Sequence, residues 1–244
     1  MTFKEWLSTA TKSNGEPYSK KSIEHYESGF RITSKEMFEA KVISKPLEDM
    51  NIYELDLAIA LIMKCEAFII KDSKGDKMYS NALKRYRCYK YLNTDLGIQE
   101  AAEEAIVKND ITLTSTEKET IVKARRGQGA YREQLIKKYD HSCIMTKVTI
   151  SQVLIASHIK PWAVCNNKER IDVNNGLLLS ATYDRLFDSG LITFDKDGKL
   201  KISKLISKDN AAKLDIKSGT KYDIGYFKEM SQYLDYHNNV IFVG

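Results

Sequence analysis

The chain has 244 residues, 43% hydrophobic and 29% charged, which excludes a disordered chain and leaves room for one large domain or two modest ones. No apolar run approaches the roughly 20 residues of a bilayer span, and Met1 to Leu7 carries Glu5 without a long apolar core, so neither a membrane anchor nor a signal peptide is expected. The net charge of +5 permits a polyanionic partner without requiring one.

Residues 1–110 read as a helical domain. Thr2 and Glu5 form a capping-box pattern, Ser19 can cap the stretch from Lys20, and Asn51 with Glu54 repeats the signal before Leu55 to Met63. That last run is apolar on more than one face and predicts the central helix of a small bundle. Met78 to Tyr91 mixes bases with tyrosines at helical spacing. The bases can grip phosphates, or the rings can be core with the charges as a solvated rim. Helical patterns continue from about 93 to 139, broken at Asn109-Asp110 and Gly127-Gln128-Gly129, and residues 111–140 read as a helical linker. Lys123, Arg125, Arg126, Arg132, Lys137 and Lys138 crowd this segment, as a DNA-facing patch or a solvated face.

From 141 onward the pattern changes to short β-rich runs. Val153 to Ser157 is an apolar strand closed by His158 and followed by Lys160-Pro161-Trp162. A second apolar strand, Leu177 to Leu179, is opened by Asn174-Asn175-Gly176. The next segment predicts a short helix with Asp184 and Asp188 on one face, a spacing at which two carboxylates can share a divalent cation. A neutral imidazole beside such a cation suits metal-assisted phosphodiester hydrolysis. Leu191 to Phe194 and Lys199 to Ser203 flank Asp195-Lys196-Asp197-Gly198, a hairpin signal. Tyr226 to His237 reads as an amphipathic helix, and Val240 to Val243 as a last strand. The four cysteines, Cys65, Cys88, Cys143 and Cys165, form no CxxC pair, which fits free thiols in a reducing cytoplasm and argues against a structural zinc.

Taken in order, Gly127 to Arg132, Cys143 to Thr146, Ala156 to Trp162, Glu169 to Asp172, Asn175 to Leu179, Leu186 to Ile192 and Tyr233 to His237 resemble the HNH nuclease family, closest to bacterial restriction endonuclease-like members. The resemblance implies an α+β chain: a helical N-terminal domain, then a ββα-metal nuclease domain over 141–244 with a flanking β-hairpin and a C-terminal helix. It implies two catalytic residues, His158 as general base and Asn175, which in this family ties the connection between strands to the histidine strand and in some members reaches the metal. Asp184 and Asp188 become ligands of Mg²⁺ or Mn²⁺, and Asp184 stands where the last histidine of the name is usual. Ser157 departs from the family, which often has a further ligand there, so weak metal affinity without DNA is implied. Lys160, Arg185, Arg132 and Arg126 are candidate DNA contacts, Arg170 and Asp172 a candidate ion pair, and His237 reads as structural. Phe3 with Trp6 and Leu7, Ser19 to Tyr26 and Tyr79 to Tyr86 are faintly similar to the core-binding domain of phage integrases, a module that wraps duplex DNA.

The expected activity is that of a cytoplasmic, homodimeric, type II-like restriction endonuclease acting on double-stranded DNA. Two alternatives stand beside it: a non-specific or partner-activated HNH nuclease of phage defence, and a DNA-binding protein on a decayed nuclease scaffold.

Overall fold

Polar side chains placed to accept the first free N–H groups start the early helices, as the sequence leads one to expect. In the computed structural model, which describes residues 1–12, 14–125, 129–225 and 228–244, Thr2 caps α1 (Phe3–Thr9) in a capping box with Glu5. Ser19 accepts from the Ser22 amide to cap α2 (Lys20–Glu39). Asn51 and Glu54 form the box that opens α3 (Ile52–Ile62). α4 (Glu66–Lys74) and α5 (Met78–Leu92) complete the first bundle.

Leu7, Leu47, Leu55, Ile59, Ile62 and Leu83 pack its core, with Tyr86 stacked on Phe30 at 3.7 Å between ring centroids. Two expectations change here. Leu57 and Leu61 are exposed, so α3 has an open side rather than sitting at the bundle's centre. On α5 the bases turn inward: Arg85 lies over the Tyr26 ring, and Arg87 is buried against Asp56. Arg87 is satisfied by Asp56, while Arg85 donates to the Asn81 carbonyl and keeps a buried Nε without a partner, so both guanidinium groups point into the protein rather than outward to a phosphate.

α6 (Leu96–Asn109) and α7 (Ser115–Arg125) form a helical hairpin. Val107 and Ile121 join Tyr53 of α3 and Trp162 in a small cluster of their own. Arg126, Gly127 and Gln128 lie outside the described residues, as do Tyr226 and Phe227 at the start of the expected C-terminal helix. α8 (Gly129–Lys138) lays Tyr131 and Leu135 onto a two-stranded antiparallel sheet, β1 (Leu154–His158) with β2 (Gly176–Ser180), in which His158 faces Gly176. Leu177, Leu178 and Leu179 are all buried, because helices and loops cover both faces of β2.

α9 (Ala181–Asp188) follows β2 directly, and the expected hairpin forms from β3 (Ile192–Phe194) and β4 (Leu200–Ile202). A short helix the sequence did not signal, α10 (Lys208–Lys213), precedes α11 (Ser231–Tyr236).

The expected last strand does not form. His237–Ile241 is a single π-type turn that inserts Val240 and Ile241 into the core of the helical half. Among the described residues no strand pairs with it: Val243 donates to the Gly190 carbonyl at 2.9 Å.

α9 ends in a Schellman motif, with the Gly190 amide on the Phe187 carbonyl and the Leu191 amide on that of Leu186. Gly190 has φ +78°, and a Cβ there would sit 2.3 Å from the Ile241 carbonyl oxygen. Gly190→Ala is therefore expected to cost about 1–3 kcal/mol, read as a lower midpoint in urea. An unchanged midpoint would show that the turn relaxes freely.

Candidate active site

His158 closes β1, and its ring is fixed by a stacking partner, itself anchored, and by one hydrogen bond. Tyr131 of α8 stacks on it at 4.6 Å and 11°. The Tyr131 hydroxyl is itself held by the Asn175 carbonyl at 3.1 Å. The hydrogen bond joins His158 Nε2 and the Arg170 carbonyl, at 2.9 Å. A carbonyl only accepts, so Nε2 carries the proton and Nδ1 keeps the lone pair. Burial lowers the pKa of this ring to about 4, so it is neutral near pH 7. Geometry and electrostatics together leave Nδ1 able to take a proton. A side chain at Gly176 would meet the Tyr131 hydroxyl at 2.5 Å, so glycine opposite His158 preserves the stack.

Asn175 is fully buried, and its amide is engaged on every side. Oδ1 accepts from the Lys160 amide at 2.9 Å, and Nδ2 donates to the Glu169 carbonyl at 3.1 Å and towards Cys165 Sγ at 3.2 Å. Its backbone carbonyl also accepts from the Ile159 amide. This side chain thus pins the connection between β1 and β2 to the end of the histidine strand. Arg170 and Asp172 do not pair as expected. Arg170 lies over Trp162 at 3.8 Å and donates to Asn167, while Asp172 accepts from the Tyr233 hydroxyl at 2.8 Å.

Asp184 and Asp188 come from successive turns of α9 and line one cavity of about 510 Å³ with His158 and Ser157. Burial holds both carboxyls above the ordinary range, and the nearby charge of Asp188 adds to it at Asp184, which rises to about 8. Asp184 Oδ1 is buried without a hydrogen-bond partner. Asp188 accepts from the Tyr91 hydroxyl at 3.0 Å and from Ser157 Oγ at 3.5 Å, a long contact.

The helical half also walls this cavity, with Asp56, Arg87, Tyr91, Glu103 and Arg125. Arg125 is ion-paired to Glu103, and its charge favours the ionised form of both aspartates. Sequence reasoning placed Arg125 only in a general basic run and missed Tyr91, Arg87 and Glu103 as neighbours of the site. No local pattern marks them, since each comes from a distant helix.

The expected DNA contacts are tied up within the protein. Arg132 donates to the Leu154 and Ser151 carbonyls, both at 2.8 Å, and so holds the start of β1. Arg185 donates to the Tyr91 carbonyl and lies over the Tyr91 ring. Lys160 pairs with Glu169 at 2.7 Å. Arg126 lies outside the described residues. His237 uses both ring nitrogens, on Thr193 and the Phe187 carbonyl, and is structural.

An orphaned carboxylate oxygen inside a repelling acidic pair fits a hard divalent cation, which would satisfy the oxygen and cancel the repulsion. Among the described residues, no three His, Cys, Asp or Glu groups gather closely enough to hold an ion together. No helix among the described residues is long and apolar enough to cross a membrane.

No curated protein matches the chain. Residues 143–195 match the HNH endonuclease family, a stretch that takes in β1, the Asn175 connection, β2, α9 and β3. The sequence match falls on the two strands and helix that gather His158, Asp184 and Asp188, so residues 143–195 form an HNH endonuclease domain, the kind that hydrolyses phosphodiester bonds.

Proposed function

We propose that the protein is a divalent-metal-dependent endonuclease of double-stranded DNA, cytoplasmic and of type II-like restriction specificity. The observation that carries the metal-dependent chemistry is the convergence of a neutral histidine and two carboxylates on one cavity. In this reading His158 Nδ1 accepts a proton from water, and the water oxygen attacks phosphorus in line as the bond to the 3′-oxygen breaks. The departing oxygen takes a proton from solvent and a 5′-phosphate remains. Asp184 and Asp188 would hold Mg²⁺ or Mn²⁺, which when bound would supply charge stabilisation at the phosphate. Ser157 would add little to that donor set, so affinity for the ion would be low without DNA.

Asn175 is a positioning residue, acting through the connection that presents the Arg170 carbonyl to His158. Lys160 can exchange Glu169 for a phosphate, whereas Arg132 and Arg185 act by supporting β1 and α9. In this proposal residues 1–110 engage DNA, 111–140 link, and 141–244 cut. One site cuts one strand, so double-strand cleavage of a palindrome calls for a homodimer whose two-fold axis matches that of the DNA.

Incubating supercoiled plasmid with the protein in Mg²⁺ or Mn²⁺ is the direct test. Discrete fragments that vanish on EDTA addition are expected. A smear of products would replace restriction specificity with non-specific cleavage, and no cleavage in either metal would sink the proposal. One observation favours a partner-activated nuclease as the second reading: Glu103 and Arg125, from the α6–α7 hairpin, share the cavity with the reacting groups. That reading predicts cleavage only after the hairpin is displaced.

A further inference from the structure

The nuclease family match begins at residue 143, yet Asp188 is held, at its carboxylate and at its backbone carbonyl, by side chains about a hundred positions earlier. Tyr91, at the end of α5, donates its hydroxyl to Asp188 Oδ2 at 3.0 Å. One turn back on the same helix, Arg87 Nη1 donates to the Asp188 backbone carbonyl at 2.7 Å. That carbonyl belongs to the last turn of α9, where acceptors lack helical partners and a cation complements the helix dipole.

Arg87 cannot swing away, because Asp56 of α3 grips Nε at 2.5 Å and Nη2 at 3.0 Å in a buried two-point pair. Arg185 of α9 returns the contact by donating to the Tyr91 carbonyl at 2.9 Å. Both the backbone and the side chain of Asp188 are therefore fixed by the helical half. Tyr91 and Arg87 are 5% and 3% exposed, so solvent does not compete for these bonds.

From this geometry we infer that Tyr91 and Arg87 are positioning residues of the nuclease site. Tyr91 presets Asp188 as a metal ligand, and the helical half thereby sets the metal affinity of the domain that cuts. The inference rests on the reading of Asp184 and Asp188 given above. A hydroxyl that orients a ligating carboxylate leaves one oxygen directed at the ion and spares the ordering cost on binding. Loss of such a contact costs about 10–100-fold in metal affinity.

The test is Tyr91→Phe in the full chain, which removes the hydroxyl and keeps the ring that carries Arg185. Mn²⁺ binding is measured by electron paramagnetic resonance without DNA, alongside thermal melting and cleavage as a function of Mn²⁺ concentration. We expect metal affinity to fall about 10-fold or more, with the metal-free melting temperature nearly unchanged and the cleavage rate recovering at saturating Mn²⁺. A purely structural role would lower the melting temperature and leave the affinity alone, which overturns the inference. Wild-type and variant binding Mn²⁺ equally well overturns it too, while the metal-site reading survives. A wild type that binds no Mn²⁺, with or without DNA, removes that reading and the inference together.

Discussion

His158→Ala is expected to slow DNA cleavage by about 10²–10⁴-fold while leaving Mn²⁺ binding and the DNA affinity within a few-fold of wild type. The separation follows from the ring's surroundings. Its Nε2 is spent on the Arg170 carbonyl and its face on Tyr131, so the one function left to it is proton transfer at Nδ1. The metal donors assigned to the protein are on α9, and alanine at 158 does not disturb them. Because burial lowers the ring's pKa to about 4, the wild-type base is unprotonated throughout the ordinary assay range. Acid loss of cleavage from this group should appear only as pH falls towards 4. Cleavage by the alanine variant at the wild-type rate would remove His158 from the mechanism. A variant that also fails to bind Mn²⁺ would instead point to the histidine as a ligand.

Much of this site is visible in the linear chain because its parts are local. The apolar run before His158, the Asn-Gly opening of β2 and the four-residue spacing of the aspartates each follow from a short-range rule of strand or helix geometry. The helix caps at Thr2, Ser19 and Asn51 are legible for the same reason. The remainder depends on which surfaces meet. Arg85 and Arg87 look like solvated charges until Tyr26 and Asp56, from other helices, are brought against them. Val240 to Val243 has strand propensity, yet the outcome is set by a place in the core of the helical half and by the closeness of Ile241 to Gly190. Arg170 and Asp172 are near in sequence, but Trp162 and Tyr233 provide better partners once folded. Local pattern selects elements, and tertiary pairing decides where charges go.

Asp184→Asn is expected to abolish detectable Mg²⁺-dependent cleavage and yet make the metal-free protein more stable, by about 1–3 kcal/mol near pH 8. The sign comes from the raised pKa. The unfolded chain releases the Asp184 proton near its ordinary value of 3.8, whereas the folded site keeps it until about 8. Between those values the native state binds more protons, so the wild-type pair loses stability as pH rises through that window and levels off above it. Asparagine has no such titration and relieves the repulsion on Asp188, so its advantage should be small near pH 4 and greatest at about 8. Saturating Mg²⁺ should reverse the order, since binding to the native state stabilises the wild type by mass action and the variant has lost one of two carboxylate donors. Melting both proteins across pH, with Mg²⁺ and with EDTA, checks the whole argument. If the two curves stay parallel in EDTA, the carboxylates are not strained against each other. If Mg²⁺ stabilises both equally, the ion binds elsewhere. A pair that destabilises the empty fold and is rescued by a cation is the arrangement a metal-dependent nuclease requires, because the repulsion keeps the site from settling into a self-satisfied hydrogen-bond network.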